Sequence, residues 1–148
     1  MSIIPRNYRK VIEESIYRAF SEFKELPIIT NYLVFFRTID AWMHDRIRHA
    51  IVAAFESIDR QYKESGARKA QYYTKGRYPR RLMTLFGEIH FEREYYVLKK
   101  QAGEGFYFVD RLFDLPRYDY YDPLVKALIV EQVAMGLNEI GRAVQQEC

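Results

Sequence analysis

Between Arg60 and Arg81 this 148-residue chain places eight cationic side chains, Arg60, Lys63, Arg68, Lys69, Lys75, Arg77, Arg80 and Arg81, against one acid, Glu64. Tyr62, Tyr72, Tyr73 and Tyr78 are interleaved with them. Cations in such a run neutralise phosphates and release counterions, and tyrosine rings offer faces for stacking or groove contact. The strip is therefore the candidate DNA-binding site, made of Arg60, Lys63, Arg68, Lys69, Tyr72, Tyr73, Lys75, Arg77, Arg80 and Arg81. A formal net charge of +3 conceals it: the strip carries +7 and the remaining 126 residues −4. Binding dominated by phosphate contacts, and tolerant of sequence, is expected. The competing reading is a solvated loop whose tyrosines fold back on a neighbouring hairpin.

Other chemistry has weaker footing. Metal-dependent strand transfer needs carboxylates converging on a pair of divalent ions, and no strand–helix series here brings them together. Asp110, Asp114, Asp119 and Asp122 lack the glycine and spacing of a calcium loop and read as a solvated acidic loop. Asp40 with His44, and Asp45 with His49, stand four apart on one helix and read as surface pairs rather than ligands. No Ser or Thr sits in a nucleophile elbow. No catalytic residue, metal or cofactor is assigned, and catalysis by this chain alone is not expected.

The elements that would position the strip follow from periodicity. Tyr8, Val11, Ile12, Ile16, Ala19, Phe20 and Phe23 form one stripe and predict a helix over Arg6 to Glu25, opened by Pro5 and stopped by Pro27. A longer helix, from Asn31 to Glu64 with Thr30 as N-cap, carries the stripe Leu33, Phe36, Ile39, Met43, Ile47, Ala50, Ile51, Ala54, Ile58 and Tyr62. At 1.5 Å per residue it spans about 50 Å, more than the first helix can cover, so a second copy of the chain packed on it, a homodimer, is expected. Gly66, Gly76 and Pro79 mark 66–79 as an exposed basic linker.

The period then changes to two. Ile89, Phe91, Tyr95 and Val97 alternate with Glu88, His90, Glu92 and Glu94, so 80–109 reads as an antiparallel ribbon. Gly87 supplies the tight turn, and Phe106 to Val109 is a candidate third strand. From 110 to 148 the chain reads as helical. Asp122-Pro123 opens a helix, Gly136 ends it and Asn138 opens another, an incomplete helix-turn-helix lacking the helix that would enter the groove.

Three runs in this order, TLFGEIHFEREYY, FVDRLFDLP and YDPLVKALIVEQVAMGLNEIGRAV, resemble the Lre-type insertion-sequence transposase family, an uncharacterised protein family of transposase-like proteins. The matching positions are Thr84, Gly87, Glu88, Ile89, Arg93 and Tyr96, then Asp110, Leu112, Leu115 and Pro116, then Ala134 and Ala143. The likeness covers about Arg80 to Val144, and Leu137-Asn138 stand where the family tends to have Ser-Tyr. It implies the N-terminal, DNA-engaging part of a transposase. The family's ribonuclease-H-like catalytic domain has no counterpart in this sequence, so no catalytic residue carries over.

Composition bounds the rest. Hydrophobic residues make up 49% and charged residues 29%, which excludes wholesale disorder. Cys148 alone cannot form an intrachain disulfide, and no apolar run reaches bilayer length. A cytoplasmic protein with no membrane contact is expected. The fold class is α+β, mostly α: an N-terminal helical hairpin over 1–65, the linker, the ribbon and the C-terminal helical region. The expected function is DNA binding and dimerisation within a transposase-like protein; the alternative is a non-catalytic remnant acting only through protein–protein contacts.

Overall fold

The computed structural model describes residues 4–21, 31–100 and 103–147, the side chains of 137–147 excepted. Its elements are α1 (Arg6–Ser21), α2 (Tyr32–Glu64), α3 (Gly66–Gln71), β1 (Tyr72–Thr84), β2 (Gly87–Leu98), β3 (Phe106–Tyr107), α4 (Phe108–Leu112) and α5 (Pro123–Glu147). The class is α+β with helix predominant, as the periodicities imply. Thr30, Pro27 and the last turn expected of the first helix lie outside the described residues. The side chain that caps α2 is Asn31, which accepts the Val34 N–H at 3.0 Å.

The three strands form one antiparallel sheet in the order β1-β2-β3. Thr84 pairs with Gly87 across the turn, and Gly87 has φ +108°. The Thr84 hydroxyl donates to the Gly87 carbonyl at 2.8 Å and accepts the Phe86 N–H at 3.1 Å, which pins the two-residue connection. Arg48 of α2 then donates to the Phe86 carbonyl at 2.7 Å.

One core joins these layers. Tyr8 of α1, Ile58 of α2, Leu82 and Ile89 and Phe91 of the hairpin, and Val109 and Leu112 of α4 are buried together. The hairpin, marginal alone, is held by this shared apolar burial. The long helix also runs beside the open edge of β2. β3 pairs only with Tyr95 and Tyr96, and beyond that point acids of α2 accept the strand's N–H groups. Asp59 Oδ2 takes Glu94 N–H at 2.7 Å and Glu56 Oε1 takes Glu92 N–H at 3.3 Å. Covering an edge this way satisfies donors that would otherwise be open to another strand.

Two expected boundaries are corrected. Residues 66–79 are not an exposed loop: they form α3 and the first half of β1. Tyr72, Tyr73 and Thr74 favour a strand, β2 is long enough to pair as far as Tyr72↔Leu98, and Gly76, with φ +137°, sits in a register shift between Thr74 and Arg77. A glycine that periodicity takes for a break is here a bulge. Likewise, Gly136 does not divide the C-terminal region: α5 is one helix of 25 residues, so the helix-turn-helix pair is replaced by a single element. Glycine costs about 1 kcal/mol in a helix relative to alanine, too little to end one by itself. The expected N-cap holds, with Asp122 Oδ1 accepting the Val125 N–H at 2.7 Å.

Candidate nucleic-acid interface

Strand pairing decides what becomes of the cationic strip. β1 carries its positive charges and β2 its neighbouring negative ones, so the register sets Arg77 opposite Glu94. Glu92 lies two residues along β2 from Glu94, on the same side of the strand; Arg77 Nη1 lies 3.3 Å from Glu92 Oε2, and its Nε lies 4.0 Å from Glu94 Oε1. Lys63 Nζ reaches the same Glu94 oxygen at 2.5 Å from the last turn of α2. Lys69 pairs with Glu64 at 2.9 Å, and this bond lowers the Glu64 carboxyl below its ordinary value.

Arg80 is removed from the surface altogether. It is 6% exposed, and its Nη1 lies 2.7 Å from Asp110 Oδ2. Its Nη2 donates to the carbonyls of Pro116 at 2.8 Å and Asp119 at 3.2 Å. Arg93 meets the same Asp110 oxygen, with its guanidinium 3.7 Å from the Tyr107 ring centroid. Burial, and then the Arg80 charge beside it, bring the Arg93 guanidinium down to about 10. Arg80 is therefore a fastener and not a surface contact. Asp110, expected in a solvated loop, is buried as the carboxylate both guanidiniums share. Asp119 pairs with Lys126.

Arg68 is spent on backbone, its Nε donating to the Lys63 carbonyl at 2.7 Å. Among the described residues, Arg60, Lys75 and Arg81 have no carboxylate within ion-pair distance. Arg81 faces the Tyr120 ring at 6.0 Å. Of the tyrosines, Tyr73 and Tyr78 are 42% and 45% exposed. Tyr72 and Tyr62 turn inward, Tyr72 edge-on to Phe106 and Tyr62 stacked on Phe108 at 3.7 Å. The strip that sequence presents as one run thus divides into paired, buried and open members.

The acids that divide it were not candidates on sequence. Asp59 and Glu94 are each 4% exposed. Asp59 Oδ1 accepts the Tyr96 hydroxyl at 3.1 Å, while its other oxygen holds the Glu94 N–H. Burial raises the Asp59 carboxyl to about 6, against the pull of these two bonds. Glu56, Asp59, Arg60, Lys63, Arg77 and Glu94 line a polar cleft of about 130 Å³. Glu94 falls on the outward side of a strict alternation and gives no sequence signal of burial. Asp59 follows Ile58 in an apolar helix face, which is the only hint.

His44 and His49 sit 3.7 Å and 3.4 Å from Asp40 and Asp45, as helix-surface pairs. Among the described residues no group of three or more His, Cys, Asp or Glu is arranged to hold a metal ion. No helix there is long and apolar enough to cross a membrane.

The resemblance noted from the sequence now has a structural content. Of the motif positions, Thr84 and Gly87 close the hairpin, Arg93 meets Asp110, and Tyr96 donates to Asp59. A model of an uncharacterised protein family, UPF0236, matches residues 35–141. The chain belongs to the UPF0236 family. Two relatives in Caldanaerobacter subterraneus subsp. tengcongensis, UPF0236 protein TTE2489 and UPF0236 protein TTE0610/TTE0881/TTE1053/TTE2432, are each 37% identical over 84 residues, 57% of this chain. That stretch is only 18% of either relative, so this UPF0236 chain spans a minor part of their length. No solved structure matches the chain.

Proposed function

We propose that this chain is a non-catalytic, DNA-contacting part of a transposase-like protein, touching the phosphate backbone through Arg60, Lys75 and Arg81. The observation that carries the reading is that Arg60, Lys75 and Arg81 have no carboxylate within ion-pair distance among the described residues, while Tyr73 and Tyr78 of the same strip are exposed. The transposase component rests on the motif likeness. It is supported by relatives whose names join several designations from one organism, four in one case and eleven in another, as repeated copies of a mobile element would. Pairing has cut the expected contact set sharply. Lys63, Lys69 and Arg77 are held by carboxylates, so the interface is smaller than the charge run suggests and reads phosphates rather than bases.

Fluorescence anisotropy with labelled duplex DNA tests this. Replacing Arg60, Lys75 and Arg81 together with Gln should remove binding and change the unfolding free energy by no more than about 0.5 kcal/mol per substitution, as surface changes do. Undiminished binding by that variant rules the interface out.

A second reading has its own observation. Leu124, Ile129, Val130, Val133 and Met135 of α5 are exposed, Val130 by 67%, and the first turns of α2 expose Tyr32, Leu33, Phe35 and Phe36. Apolar surface of this extent marks contact with protein. A second copy of the chain docked on α2 is the homodimer expected from the sequence, and α5 adds a second apolar face for it. Sedimentation equilibrium decides it: concentration-dependent dimers that Val130→Glu converts to monomers support the interaction module, and a monodisperse parent monomer removes it.

A further inference from the structure

The polar cleft where α2 crosses the hairpin contains three cations and three carboxylates. Arg60, Lys63 and Arg77 line it together with Glu56, Asp59 and Glu94. Two of the acids are nearly inaccessible, whereas Lys63 and Arg77 keep 38% and 53% of their side-chain surface exposed. The carboxylates therefore form the floor, and the cations reach over them from the rim. Lys63 Nζ sits 2.5 Å from Glu94 Oε1, and Arg77 spans Glu92 and Glu94. Glu92 and Glu94 thus stand against these cations where phosphate oxygens would stand if the same cations held nucleic acid.

We propose that this cleft is a gated phosphate site: Glu94 pairs with Lys63, Glu92 and Glu94 pair with Arg77, buried Asp59 adds negative charge beside them, and a backbone phosphate takes those two cations, with Arg60, once negative charge in the cleft is reduced. The proposal deepens the DNA-contacting reading above and rests on it. With every group ionised the six lining residues sum to zero charge, and an entering phosphate must compete with Glu94 for partners already in contact. One proton changes the balance to +1.

Asp59 is the group placed to take that proton. Around it stand Glu56, Arg60 and Lys63 on its own helix, Glu94 and Tyr96 on β2, and Arg77 on β1, with Glu92 beyond Glu56 and Arg77. Burial holds its carboxyl near 6. A protonated Asp59 keeps its neighbours satisfied: one oxygen still accepts the Glu94 N–H, the new O–H donates to Tyr96 Oη, and Tyr96 O–H turns to the Asp59 carbonyl, 3.3 Å away. The gate therefore opens by charge, with no rearrangement of the fold.

Affinity for a labelled DNA duplex, measured against salt at about pH 5.5 and about pH 7.5, tests the gate on the full chain. The parent should bind at least about fivefold more tightly at the lower pH. Glu94→Gln should bind at least about fivefold more tightly than the parent at the higher pH, with the slope of log K against log salt steeper by roughly 1.8, the value for two added phosphate contacts. Asp59→Asn, which mimics the protonated acid, should bind tightly at both values and lose the pH response, separating the gate from titration of His44, His49 or His90. A parent that binds while both variants leave affinity and slope unchanged overturns the gate and leaves the DNA-contacting reading standing. Absence of binding by parent and variants at both pH values overturns the two together. Should Glu94→Gln lose its circular dichroism signature, Asp59→Asn carries the decision alone.

Discussion

The Lys63 ammonium lies 2.5 Å from a Glu94 carboxylate that is itself 4% exposed, so a residue from the last turn of the long helix and one from the middle of an acidic strand close on each other. That contact ties the helix end to the ribbon and determines how much of the cationic strip remains open. Glu94 has little water to compensate a lost partner, because the strand beneath it is fixed through Asp59. Lys63→Met, which retains the stem and removes the charge, is expected to destabilise the fold by about 1–3 kcal/mol in urea unfolding, the cost of leaving a buried charged acceptor short of a donor.

The shared carboxylate of Asp110 carries a larger penalty. Asp110→Asn leaves the buried guanidiniums of Arg80 and Arg93 facing each other without a counter-charge, and a loss of about 3–5 kcal/mol is expected. Replacing all three by apolar side chains of similar volume should recover much of it, since an ion cluster of this kind offsets its own desolvation poorly. Thermal unfolding of the two variants side by side makes the comparison. A single-site loss under 1 kcal/mol would mean that water reaches the cluster.

Asp59 contributes its own pH dependence to stability. The unfolded carboxyl ionises near 4, whereas the folded one holds its proton to about 6, so the folded state binds more protons across that window. Its contribution is fully present below about pH 4 and is lost as pH rises through about 6, amounting to roughly 3 kcal/mol at most. Asp59→Asn should abolish that decline and make the protein more stable than the parent near pH 7.5. Urea midpoints across the window give the answer, and a parallel pH profile in the variant would assign the decline elsewhere.

Two glycines are fixed by geometry. At Gly87 the backbone has φ +108°, and an added Cβ would stand 3.0 Å from Arg48 Nη1. At Gly105 it would overlap the Tyr96 carbonyl oxygen and come within 2.6 Å of the Tyr95 ring. Alanine at either site should cost more than the roughly 1 kcal/mol typical of a point substitution, with Gly105 the worse because strand backbone cannot yield. Hydrogen exchange at Tyr95 and Tyr96 should accelerate in Gly105→Ala before the rest of the ribbon responds.

The sequence shows these elements unevenly, for physical reasons. The stripe of the long helix, the turn at Gly87 and the cap at Asp122 are local signals and appear where local chemistry puts them. The strand character of Tyr72 to Arg77 is not local: it exists because β2 is there to pair with, and a bulge glycine looks the same as a loop glycine until a partner strand is present. The candidate site follows the same rule. Charge density in a run is legible, but which cations stay open depends on a register that sets Arg77 against Glu94 and sends Arg80 to Asp110, and no spacing along one chain encodes that.

The salt dependence of DNA affinity tests the central claim most directly. With Arg60, Lys75 and Arg81 as the open contacts, log K should fall against log salt with a slope of about −3 near neutral pH. No binding at low salt, or a slope near zero, would contradict the account.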